Sequence, residues 1–470
     1  MHSTVHSRRF SVTVAAVAGW SIAASGTSMA GPITGNGVPV ATEQPSLGLT
    51  YLIRTGAANI ADVGQVVLFA GNFAPGGYSL ADGQLLPINA NQVLFNQIGT
   101  TYGGNGTSTL ALPNLEGRTV VGTGSGTGLA PRALGSVAGA TAQTLTAGQV
   151  PAFGGATGVT TGSAPLPITQ PSIALTQTVV TQGFFPQNSG PQAQGPMVGQ
   201  VLTYAGSTIP GGQIAANGQQ LSVVQNQALF NILGNTFGGS FPTTFATPNL
   251  SGRAATEAGA GPGLIPQALG QIEGAPSTLL TVANLPPQRL TLPNGTTSVL
   301  GGNQPFNIQD PTLGLHYIIA EQGVFPTASG IEPDGEPFLG EISLFAGTTA
   351  PAGWAFADGQ LLSIAQNEAL FAVIGSAYGG NGIFDFALPN LMDRVAVGTG
   401  DGITLGERFG TDSDTLNFEQ LPAGYPTVPA ANHVPEPPAW TILLVALAAL
   451  VCLPRRRLRK GLNKPAFRPI

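Results

Sequence analysis

The chain has 470 residues, of which only 8% are charged, with 67 glycines and 39 prolines. Its apolar residues, 42% of the total, fall in patterned runs, which excludes a disordered chain and describes a turn-rich protein of many short strands. Between Gly31 and His433 lie seven arginines, no lysine and 21 acidic residues, a net charge of −14 that argues against nucleic acid as a partner.

The first element is an address. Met1–Ala30 carries Arg8 and Arg9, an apolar stretch from about Val12 to Ala24, and small residues at Ser28 and Ala30. This is the pattern of a signal peptide that signal peptidase cuts between Ala30 and Gly31. Phe10 follows Arg9 one position too early for a twin-arginine signal, so the general secretory route is expected.

The body is organised around one stretch that occurs three times, starting at Gly64, Gly199 and Gly340. Gly83, Gly218 and Gly359 stand 135 and 141 residues apart, and Asn114, Asn249 and Asn390 keep those offsets. Three copies in register are one structural unit used three times. Each opens on a strand of period two, GQVVLF in the first copy and GEISLF in the third. Asp82-Gly83 and Asn217-Gly218 then predict a tight hairpin. Ser222 with Gln225, and Ser363 with Gln366, predict capping boxes opening a short helix, with Leu370, Phe371 and Ile374 on one face. Gly99, Gly234 and Gly375 predict its C-terminal caps. Ahead of the copies, Gln44-Pro45-Ser46, Gln170-Pro171-Ser172 and Asp310-Pro311-Thr312 each lead an alternating strand. These leaders are expected to be edge strands docked on a neighbouring unit.

The C-terminal end reads Val434-Pro435-Glu436-Pro437, then Trp440 in an apolar run over 439–453, then Arg455, Arg456 and Arg457. The run is short for a bilayer span of about 20 residues, and its basic flank should stay cytoplasmic. The order of these parts resembles the PEP-CTERM sorting signal. That resemblance implies an exosortase-type processing protease as partner, with a cut near Pro435–Pro437. The tail 461–470 departs from the pattern, which usually ends close to the basic cluster.

The repeated motifs, F-A-G-x-x-A-P-x-G-W/Y, A-D-G-Q-L-L, N-x-x-L-F-x-x-I-G, Y-G-G and L-P-N-L-x-G/D-R, resemble the phage tail collar domain. The resemblance implies a fold that is mainly β with one short helix per unit. It divides the chain into a signal peptide (1–30), a leader (31–63), unit 1 (64–153), a linker with its leader strand (154–198) and unit 2 (199–288). A second linker with leader (289–339), unit 3 (340–427) and the sorting signal (434–460) with its single hydrophobic helix complete it. The family commonly carries Leu-Pro-x-His-x-His near the end of the unit, and such histidines can bind metal. Here those stretches begin Val150-Pro151, Leu285-Pro286 and Leu421-Pro422 without histidine, so neither metal nor cofactor is expected.

Little else in the body carries chemistry. His316 is the one histidine inside the units, read as a surface or interstrand residue, and no serine or cysteine has a histidine base available. The loops Gly122–Gly126 and Gly398–Gly402 lack the Lys-Ser/Thr of a phosphate loop and read as flexible. The repeated sets Asp82/Arg118, Asn217/Arg253 and Asp358/Arg394 are read as a structural brace, the arginine reaching the hairpin acid or the Pro-Asn-Leu carbonyls, with an acidic-ligand contact as the alternative. The functional expectation is a non-enzymatic exported protein presenting three collar-like units at the cell surface or in the matrix. It is held transiently at the membrane by its C-terminal helix, and a surface glycan or matrix component is its expected ligand. A phage-derived tail-fibre component is the second reading. A secreted polysaccharide hydrolase is the third, and would use acids such as Asp358, Asp385 and Asp393; Thr109 and Thr244 occupy the Asp385 position in the other copies. The units are joined by 45 and 51 residues, ample for a pseudo-threefold closure, a linear array or a homotrimer of arrays.

Overall fold

Each unit is built on one long strand and one short one. A computed structural model describes residues 40–56, 62–150, 166–187, 195–291, 297–328 and 336–422, with the small pieces 33–34, 38, 189 and 426–427. The signal peptide, the sorting signal and the hydrophobic run lie outside the described residues. No helix among the described residues is long and apolar enough to cross a membrane.

Unit 1 comprises the leader strand β1 (Ser46–Arg54), the strand β2 (Gln65–Phe69), the helix α1 (Gln92–Ile98) and the closing strand β3 (Thr119–Gly122). Unit 2 repeats them as β4 (Ser172–Val180), β5 (Gln200–Tyr204), α2 (Gln227–Leu233) and β6 (Ala254–Glu257). Unit 3 does so as β7 (Thr312–Ala320), β8 (Glu341–Phe345), α3 (Glu368–Ile374) and β9 (Val395–Gly398).

The leaders are not edge strands. The second half of each pairs antiparallel with the opening strand of its own unit: Tyr51 with Leu68, Gln177 with Thr203, Tyr317 with Leu344. The first half pairs in parallel with the closing strand of another unit. Ser172–Leu175 lies on β3 of unit 1, Thr312–Leu315 on β6 of unit 2, and Ser46–Leu49 on β9 of unit 3. Leader 1 reaching unit 3 closes the circle. The opening strands also pair with one another, Thr203 with Val66, Val201 with Leu344, and Ile342 with Leu68. Three units thus surround one pseudo-threefold axis within a single polypeptide. Because both faces of the leaders are covered, their alternation does not produce a wet face; every residue of β1 and β4 is buried.

One apolar core runs through all three units, from Phe69 and Leu94 through Phe245 to Phe345's neighbours Ile342 and Leu344 and on to Phe386. A second, smaller core collects matching residues from all three beyond the start of the leaders: Val40, Leu166 and Phe306; Leu145, Leu280 and Leu416; Val150, Leu285 and Leu421. The short strand Ile33–Thr34 pairs with Pro426–Thr427, bringing the two ends of the body together.

Two local expectations are corrected. Asp82-Gly83 is a corner, not a hairpin: Tyr78–Leu80 before it pairs with the leader, and Leu85–Pro87 after it pairs with Thr109–Ala111. Gly83 is required there by its φ of +81°, and a Cβ would press on Asn114. The capping boxes do not form either. A 3₁₀ turn, Ile364–Gln366, precedes α3, and Ser363 makes no side-chain cap. Instead Asn91, Asn226 and Asn367 stand at the helix starts and donate from Nδ2 back to the carbonyls of Pro87, Ser222 and Ser363 at 3.0–3.1 Å. The glycines Gly99, Gly234 and Gly375 do end the helices, each at positive φ.

Candidate functional site: the seams between units

The repeated acid and arginine are brought near the same turn but serve different parts of it. Asp82, Asn217 and Asp358 each accept the backbone N–H two residues on, at 3.0, 3.2 and 3.1 Å, fixing the corner. Their backbones bridge to Asn114, Asn249 and Asn390 of the Pro-Asn-Leu turn. The arginines donate to carbonyls of that turn: Arg118 to Asn114 and Glu116, Arg253 to Ser251, Arg394 to Met392. No ion pair joins the arginine to the corner acid among the described residues. Arg253 and Arg394 are 4% and 9% exposed, and burial lowers both pKa values.

The turn is where one unit meets the next. The last residue of each closing strand, where the glycine-rich stretch begins, exchanges backbone hydrogen bonds with the end of the Pro-Asn-Leu turn of another unit. Gly122 bonds with Arg253 and Gly252, Glu257 with Arg394 and Asp393, and Gly398 with Arg118 and Gly117. These stretches are therefore pinned at the seams, contrary to the expectation of flexible loops. A Cβ at Gly126 would collide with the Ser251 carbonyl and Arg253, so the close approach demands glycine. Asp393, at φ +54° where the other units have Gly117 and Gly252, accepts the N–H groups of Gly261 and Gln267 across the seam.

One seam differs. Glu257 occupies the position of Gly122 and Gly398, and His316 that of Thr50 and Thr176. Glu257 Oε1 lies 2.8 Å from His316 Nδ1, and its other oxygen accepts the Tyr317 N–H. The His316 ring packs on Phe356 with centroids 4.5 Å apart. Glu257 is 1% exposed, and burial pushes its pKa up to about 7 against the pull of His316 and Tyr317. His316 is thus an interstrand residue with a buried acidic partner. Sequence reasoning missed Glu257, whose signal was the break in the repeat's glycine. At the seam of units 3 and 1, where Gly398, Thr50 and Leu80 stand in place of Glu257, His316 and Phe356, a cavity of ≈ 150 Å³ opens beside Asp82 and Glu116.

The acids a hydrolase would need are used structurally. Asp385 accepts the Asn381 N–H and Nδ2 at 2.7 and 3.0 Å, and Thr109 and Thr244 take the matching N–H groups of Asn105 and Ser240. No group of three or more His, Cys, Asp or Glu able to hold a metal occurs among the described residues.

Residues 64–120, 199–255 and 340–396 match the family model described as Phage Tail Collar Domain. The chain carries three collar domains. Each match begins just before the opening strand and ends within the closing strand, so the leaders and the pinned glycine stretches lie outside it. No curated protein and no solved structure matches the chain.

Proposed function

We propose that this is a non-enzymatic structural protein, akin to phage tail-fibre proteins, that is exported and displayed outside the cell for adhesion or matrix structure. The carrying observation is that one chain supplies all three collar domains and closes them on one another. Such a body needs no partner copies to complete its fold, which suits a displayed module handed over by a sorting system. The reading takes Met1–Ala30 as signal peptide and Val434–Pro437 with the Arg455–Arg457 cluster as the signal for an exosortase-type protease. A surface glycan or matrix component is the proposed ligand. The ends of the body meet at the ribbon of 33–34 with 426–427, so a C-terminal anchor leaves from the smaller core's end.

Fractionation of cells with and without the exosortase tests the reading, together with the intact mass of the exported form. The expected product spans close to 31–437. A surface species that retains Arg455–Arg457 overturns the processing, and a cytoplasmic protein assembled into particles favours the tail-fibre alternative.

A further inference from the structure

The motif Gln-Pro-Ser, Gln-Pro-Ser, Asp-Pro-Thr at the head of the leaders forms a polar layer on the pseudo-threefold axis. Gln44, Gln170 and Asp310 are 3%, 2% and 4% exposed. They lie between the smaller core, with Val40, Leu166 and Phe306, and the main core, which begins at Leu47, Ile173 and Leu313. Each side chain reaches the next leader. Gln44 Oε1 accepts the Asp310 N–H at 3.1 Å, Asp310 Oδ2 accepts the Gln170 N–H at 3.0 Å, and Gln170 Oε1 is 3.5 Å from the Ser46 hydroxyl that completes the ring. Glycines Gly139, Gly274 and Gly410 leave room for the backbone carbonyls of Gln170, Asp310 and Gln44, where any Cβ would collide.

Each head commits one terminal atom to this ring. The other terminal atoms, Gln44 Nε2, Gln170 Nε2 and Asp310 Oδ1, are buried without a partner among the described residues. They amount to two amide donors and one carboxyl acceptor in one enclosed layer. A metal cation is unsuited to the two N–H groups, and an anion is unsuited to the carboxylate. Water matches the set, because it accepts two hydrogen bonds and donates another. We propose that this layer is a binding site for one structural water molecule, accepting from Gln44 and Gln170 and donating to Asp310 Oδ1. Burial raises the Asp310 pKa well above the usual carboxylate range, while the Gln170 N–H that Oδ2 accepts and then the Arg132 charge oppose that shift and favour the ionised acceptor the water needs. The unlike third residue is what a fused chain permits: three glutamines would present three donors and no acceptor.

The site is testable in the full chain. A high-resolution crystal structure should show one water within hydrogen-bond distance of all three atoms, and oxygen-17 relaxation dispersion should count one long-lived water fewer in Asp310→Leu. Asp310→Asn replaces the acceptor with a third donor, so it should lose the water and melt at a temperature that rises with chloride or bromide. The wild-type melting temperature should not respond to halide beyond an ionic-strength control. Direct amide-to-carboxyl bonds with no water, or anomalous bromide density at the layer of the wild-type protein, would overturn the assignment.

Discussion

Glu257 is a carboxyl group in a place where the repeat has glycine, and its burial has a consequence for stability. Its folded pKa of about 7 lies above its ordinary 4.5, so the protonated form is favoured by folding. The stability it contributes is fully present below pH 4.5 and is lost as pH rises through about 7. A pKa difference of that size between the folded and unfolded chain corresponds to a loss on the order of 3 kcal/mol. Glu257→Gln is neutral at every pH and keeps an acceptor for the Tyr317 N–H. We expect wild type to lose stability relative to Glu257→Gln between pH 5 and pH 8, measured by urea unfolding. Parallel profiles for the two proteins would show that the carboxyl does not titrate in this window.

At the scale of elements, the leaders decide how the units meet, and their imperfect repetition leaves a flaw. Tyr51 and Tyr317 point their hydroxyls to the Ala396 and Ala255 carbonyls at 3.2 and 3.0 Å. The second leader has Gln177, whose Oε1 is buried without a partner among the described residues, beside an axial cavity of ≈ 40 Å³. Gln177→Tyr should fill that space and offer its hydroxyl to the Val120 carbonyl, the matching position. Cavity filling of this size is worth about 1 kcal/mol, read as a higher melting temperature; a lower one would mean that the seam resists the ring. The leaders were legible as strands from their alternation. Their partners were not, because parallel pairing with a residue 53, 58 or 349 positions away leaves no local trace, and the sense of the cyclic order is equally silent. The corner at Asp82-Gly83 was misread as a hairpin for a related reason. Its turn chemistry is that of a hairpin, but the two strands it joins find better partners elsewhere. Glu257 and His316 are separated by 59 positions, so only the broken repeat marked them.

For the whole molecule, a shared core means that no unit is complete alone. Unit 3 cut out as 340–427 loses the leader β7 from one side of β8, and β2 and β5 from the axis. Ile342, Leu344 and Phe345, now buried, would then face water beside unpaired backbone N–H and C=O groups. Both costs are met by pairing with other copies, since an exposed apolar edge is a template for association. The intact body has no such edge at its axis, because its three opening strands already satisfy one another. Light scattering should therefore find the mature body to be a compact monomer, and isolated 340–427 to form trimers or aggregates. Adding the leader, as 306–427, restores β7 but leaves its first half without the closing strand of unit 2, so this longer piece should still associate. A monomeric, cooperatively folded 340–427 together with an elongated three-unit body would overturn closure and leave a linear array of independent domains.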